Sequence, residues 1–113
     1  MVTEEQVRAA LDQIAARLGG LDPEQWRRHA VDRTVSCRVP DLDLAYETRI
    51  SSGGITPFAR CADPRAAQVR LTAASADLLA LANDEISPAK AWATGRLKIE
   101  ASFTDLLRLR KLL

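Results

Sequence analysis

The sequence predicts an α+β domain in which a five-stranded, mostly antiparallel sheet is covered by helices. Three observations predict it. Apolar residues recur at period two in five short stretches between Arg33 and Ala101, and at helical spacing near both ends and between the fourth and fifth stretches. The breaks between strand-like stretches are short and rich in Gly, Pro, Ser and Asp, so hairpins rather than long crossovers join most of them. With 113 residues and no repeat, low-complexity tract or linker, residues 1–113 are expected to form one domain.

Thr3 stands three residues before Gln6, the spacing at which a hydroxyl and a reciprocal side chain satisfy each other's backbone N–H groups, so a helix starts there. Val7, Ala10, Leu11, Ile14 and Leu18 give it one buried stripe, and Gly19-Gly20 supplies its end. Asp22-Pro23 repeats the start signal for a short helix carrying Trp26.

From Arg33 the period changes to two. Val35, Cys37 and Val39 alternate with Thr34, Ser36 and Arg38, and after the Pro40-Asp41 interruption Leu42, Leu44, Tyr46, Thr48 and Ile50 alternate with Asp43, Ala45, Glu47 and Arg49. Each strand has a wet face and a dry face. Ser51-Ser52-Gly53-Gly54 is a turn, and Ile55 to Arg60 returns as a third strand in which Pro57, lacking a ladder donor, marks an edge or a bulge. Asp63-Pro64 breaks it, and Gln68 to Ala73 makes a fourth strand with Val69 and Leu71 inward. Ser75 is expected to cap a short helix through Asn83 that bears Leu78, Leu79 and Leu81. Ser87-Pro88 opens another, anchored by Trp92 and ended by Gly95. Arg96 to Ala101 is the fifth strand, with Leu97 and Ile99 inward. Ser102 caps the last helix, whose first turn carries Asp105 where the helix dipole favours negative charge.

The last helix is too apolar for one buried face. At ~100° per residue, Phe103, Leu106, Leu107, Leu109, Leu112 and Leu113 cover roughly 220°, against the ~100° stripe of an ordinary surface helix. Full burial of each leucine is worth ~1.5–3 kcal/mol. Leaving several exposed would forgo much of a small domain's ~5–15 kcal/mol, so a second burying surface is expected.

Composition and motifs exclude more than they assign. Sixteen Lys+Arg against fifteen Asp+Glu give a net charge of +1, which supplies no overall field for nucleic acid or an anionic membrane. No apolar run approaches the ~20 residues that span a bilayer, so no stable membrane insertion is expected. Met1-Val2-Thr3-Glu4-Glu5 is acidic where a secretory start would be basic and then apolar. Cys37 and Cys61 are therefore expected to be free thiols in a reducing cytoplasm. Thirteen of the sixteen basic residues are Arg, a usage associated with GC-rich bacterial genomes.

His29 is the only histidine and reads as the polar end of a short helix. Alternation puts Asp41 and Asp43 on the solvated side of a strand. Cys37 is read as a small buried hydrophobe, and the Gly pairs are too short to cradle a phosphate. No catalytic residue, metal or cofactor is expected, and the chain is not read as an enzyme.

The run Ser87-Pro88-Ala89-Lys90-Ala91-Trp92-Ala93-Thr94-Gly95-Arg96-Leu97-Lys98-Ile99-Glu100 resembles the sterol-carrier-protein (type two) superfamily. There a Pro-opened helix ends at a glycine, a Gly-Lys/Arg-Leu-x-Ile strand follows, and a terminal amphipathic helix closes the fold. Val69 to Leu81 looks like the family's fourth strand running into its helix, and Tyr46 to Ile55 like its second hairpin. Two positions depart from the pattern. Ala101-Ser102 stands where members commonly have Gly-Asp, and Lys111-Leu112-Leu113 lacks the small residue of the peroxisomal Ser-Lys-Leu address.

The resemblance implies a sheet backed by helices around an apolar cavity that takes sterols, fatty acids or fatty acyl-CoA without chemistry. On this reading an apolar ligand lies between the sheet and the C-terminal helices and touches Trp92, Phe103, Leu106, Leu107 and Leu78. The same positions also suit plain core. The alternative is an interaction module, in which the last helix is buried in a homodimer or against an enzyme that the domain serves.

Overall fold

The computed structural model describes residues 2–19, 32–51 and 54–112. The short helix expected around Trp26, together with Asp22, Pro23 and His29, lies outside the described residues, as do Gly20, Ser52, Gly53 and Leu113. Helix α1 spans Glu4–Gly19. It opens on the expected reciprocal box: the Gln6 N–H donates to Thr3 Oγ1 at 3.2 Å and the Thr3 N–H to Gln6 Oε1 at 2.9 Å. Val7, Ala10 and Leu11 are buried and Ile14 and Ala15 half-buried, while the other side chains described from Glu4 to Arg17 are exposed.

The strands are β1 (Arg33–Val39), β2 (Leu44–Ser51), β3 (Gly54–Ile55), β4 (Ala59–Arg60), β5 (Val69–Ala73) and β6 (Leu97–Glu100). They form a six-stranded sheet of order β3-β2-β1-β5-β6, with β4 also paired to β2. All described pairings are antiparallel except β1 with β5. The expected third strand is two strands, and the cause is local. The Thr56 side chain takes the Arg49 N–H at 2.9 Å in place of a ladder carbonyl, and Pro57 next to it has no N–H to give. Pairing resumes only at Ala59 opposite Glu47.

Three expectations about polar residues are corrected. Asp41 and Asp43 do not lie on a strand. Pro40–Leu42 form a 3-10 turn that Asp43 closes in the left-handed conformation, φ 53°. Asp41 then accepts the Ser75 N–H at 2.9 Å and the Ser75 hydroxyl. Helix α2 (Ser75–Ala82) therefore begins at Ser75 instead of being capped by it, and its cap comes from 34 residues earlier in the chain. Ser36, expected on the wet face of β1, is 1% exposed, because the 3-10 turn Pro64–Ala66 covers it and the Pro64 carbonyl accepts its hydroxyl at 2.8 Å.

Helix α3 (Pro88–Ala93) starts as expected, with the Lys90 N–H donating to Ser87 Oγ at 3.2 Å, and Gly95 follows it at φ 80°. Helix α4 is Phe103–Leu112. The core gathers Val7 and Leu11 of α1, Leu78 and Leu81 of α2, and Ala91 of α3 on the inner sheet face of Cys37, Val39, Tyr46, Ala73 and Leu97. α1 packs along α2. Arg17 fastens them by donating to the Leu81 and Ala82 carbonyls at the end of α2, at 3.0 and 2.7 Å. No helix among the described residues is long and apolar enough to cross a membrane.

Candidate functional site

The inner sheet face is sealed unevenly. Strand register places Tyr46 opposite Cys37, Cys37 beside Leu71, and Leu71 opposite Ile99, so these four make one apolar row across the sheet. Tyr46 and Cys37 are 0% and 1% exposed, whereas Leu71 and Ile99 are only half-buried. In the adjacent row Leu44, Val39, Ala73 and Leu97 are all buried. The helices thus cover one end of the sheet completely and leave the β5–β6 corner part open. β6 leads from that corner directly into α4.

Polar contacts hold the first turn of α4. The Asp105 N–H donates to Ser102 Oγ at 3.2 Å, as the cap pattern predicts. The Asp105 side chain is nearly buried and takes the Arg33 Nε–H at 3.0 and 3.3 Å. Arg33 begins β1 and β5 lies between β1 and β6, so this ion pair draws the start of α4 back over β5. The apolar residues of the same turns are less well covered: Phe103 is 76% and Leu107 46% exposed, and Leu106 is half-buried. The wide apolar arc is described only at these three positions.

The five residues expected to contact a ligand fall into two groups. Leu78 belongs to the closed core, 3% exposed. Trp92 is half-buried on α3, which packs on β6, and Phe103, Leu106 and Leu107 follow β6 on α4. In chain order, Trp92 lies on the helix before β6 and the other three on the helix after it. Sequence reasoning placed Leu71 and Ile99 inward but did not single them out, because only strand register shows that they are neighbours. It also missed the Arg33–Asp105 pair, whose members lie 72 residues apart with no local signal for either.

The described titratable groups are arranged for structure. Burial pushes the Cys37 thiol up to about 12, so it stays protonated and behaves as a small hydrophobe. Burial also raises Cys61, with smaller effects from Glu47 and Asp63 around it. Hydrogen bonds from Ser75 hold the Asp41 carboxyl below its ordinary range. Leu71 and Ile99 offer alkyl surface, which suits the corner to an apolar ligand.

Residues 6–113 match the model of the SCP-2 sterol transfer family. No curated protein matches the chain. Among solved structures the fold is similar to sterol carrier protein 2 like 2 from Aedes aegypti, with TM-score 0.67 and 14% identity over 96% of this chain and 97% of that one. The palmitated form of that protein in solution gives TM-score 0.61 and 15% identity over 98% and 94%. A stereoselective inverting sec-alkylsulfatase from a Pseudomonas species gives TM-score 0.58 and 20% identity over 82% of this chain, which matches 14% of the enzyme's length. At these identities the structural likeness concerns the fold.

Proposed function

From the premise that the chain belongs to the SCP-2 sterol transfer family, a family of lipid carriers without catalysis, we propose that it holds an apolar ligand at the β5–β6 corner beneath α4. One observation carries this reading: the row Tyr46–Cys37–Leu71–Ile99 is dry at one end and part open at the other, next to a helix with apolar residues still exposed. Leu71, Ile99, Trp92 and Leu106 form the contact surface, Phe103 and Leu107 the rim, and Leu78 the core beneath.

The ligand class is a fatty acid, a fatty acyl-CoA or a sterol. The palmitated state of the Aedes aegypti neighbour supports an acyl chain. Covering about ten methylenes is worth ~8 kcal/mol before the freedom lost on association is subtracted, which gives weak, exchangeable binding suited to a carrier. A cytoplasmic location belongs to this reading, and the two free cysteines support it. Delipidated protein titrated with a fluorescent fatty acid should saturate at micromolar ligand, and absence of saturation there refutes the proposal.

A second reading is favoured by the match to a short part of the sulfatase chain. In it, α4 is buried against a partner enzyme or a second copy. A ligand-free monomer–dimer equilibrium broken by Leu107→Glu would select it.

A further inference from the structure

We propose that the outer edge of β6 pairs with the same edge of a second copy, antiparallel and with Ile99 opposite Ile99, so that two sheets join into one. The two edges of the sheet are unequal. On the β2 side the pairing strands β3 and β4 are two residues each, with Pro57 between them, which blunts that edge. On the other side β6 ends the strand order, and no strand of the described residues lies beyond it. Its residues Leu97–Glu100 pair with β5 in unbroken register. The ion pair of Arg33 with Asp105 draws the start of α4 back over β5, away from this edge. A strand edge left so presents a row of N–H and C=O groups to which another strand can add.

Lysine on an edge strand ordinarily discourages such pairing. Here Glu100 follows Lys98 two residues on, both on the sheet face opposite Leu97 and Ile99. In an antiparallel pair, opposite residues aim their N–H and C=O groups at each other, and along one strand these groups alternate between its two edges. Two identical strands therefore meet about a residue and never between two. Centring on Lys98 or on Glu100 sets like charges face to face, and centring on Leu97 sets Arg96 against Lys98. Centring on Ile99 pairs Lys98 with Glu100 twice, and Leu97 with Ala101. Of the four residues of the strand, only this centre is complementary in charge.

The same register continues both faces of the sheet. On the outer face Glu100, already 3.7 Å from Arg70, gains a lysine on its other side. On the inner face the apolar row runs from Leu71 and half-buried Ile99 into the partner's Ile99 and the partner's Leu71. Each copy thereby closes the open end of the other's row. That this completes a ligand site rests on the reading above, whereas the pairing itself needs no ligand.

Sedimentation velocity of the delipidated full chain tests the proposal, independently of whether the corner takes a fatty acid. A monomer–dimer equilibrium is expected. Lys98→Glu sets acids face to face at both pairs and Glu100→Lys sets bases, so either alone should weaken the dimer roughly tenfold or more. An equimolar mixture of the two variants restores both pairs and should dimerise again. Opposite residues of an antiparallel pair lie about 4.5–5.5 Å apart at Cα, within disulfide reach. In a Cys61→Ser background, Ile99→Cys should therefore cross-link on mild oxidation and Lys98→Cys should not. Lys98 and Glu100 are exposed, so their variants should fold, and circular dichroism checks that they do. A wild type that stays monomeric, or a mixture that associates no better than its components, overturns the proposal. So does a dimer that ignores both charge reversals and dissociates with Leu107→Glu.

Discussion

Replacing Arg33 by Met should loosen α4 measurably. Asp105 keeps only 8% of its side chain in water, so its carboxylate depends on hydrogen-bonding partners, and Arg33 Nε reaches both of its oxygens. Removing one member of a buried pair typically costs ~3–5 kcal/mol. Arg33 is 30% exposed, and solvent screening there brings the expectation down to ~2–3 kcal/mol. Unfolding entropy near 2.1 cal/mol/K per residue makes each kcal/mol worth ~4 °C in a chain of 113 residues. Arg33→Met should therefore lower Tm by ~8–12 °C.

The double change Arg33→Met/Asp105→Leu removes both members of the pair and should recover most of that loss. Differential scanning calorimetry of the wild type, both single variants and the double variant measures the coupling directly. A fall of less than ~2 °C for Arg33→Met, or single effects that simply add, would show that the pair does not hold the helix on the sheet.

Three further outcomes are expected. Thr3→Ala removes the hydroxyl that accepts the Gln6 N–H and should cost ~1 kcal/mol, read as a lower denaturation midpoint with an unchanged slope. At pH 8 a thiol reagent should modify Cys61 and spare Cys37 until the protein is denatured, since a thiol titrating at about 12 is almost wholly neutral there. Equal reactivity of the two would contradict the buried placement of Cys37. The lowered Asp41 carboxyl contributes stability that is fully present above its unfolded value, ~4, and is lost as pH falls through the folded value. Melting curves of the wild type and Asp41→Ala should therefore converge as pH drops below ~4, and a gap constant down to pH 2 would contradict the Ser75 contact.

Patterning was legible wherever neighbours in sequence decide the outcome. The Thr3–Gln6 box, the Ser87 and Ser102 caps and the inward faces of β1 and, from Leu44 on, of β2 all depend on side chains a few residues apart, and these stand as read, whereas Leu42 belongs to the turn before β2. What escaped depends on contacts between distant segments. Ser36 has the sequence environment of a wet position and is buried because a turn 28 residues away lies on it. Asp41 is exposed, as read, but its carboxylate also caps a helix 34 residues on. For the proposed site, Trp92, Phe103, Leu106 and Leu107 were named from helical spacing and the family resemblance. The open end of the apolar row, Leu71 beside Ile99, needed the strand register.

Carbon-13 methyl spectra of delipidated protein during titration with palmitate locate a bound acyl chain. Saturable shifts are expected on the methyl groups of Leu71, Ile99 and Leu106, with nuclear Overhauser contacts from them to the acyl chain, while Val39 and Leu44 stay in place. Saturation without contacts at Leu71 and Ile99, or no response at micromolar palmitate, would contradict the proposed site.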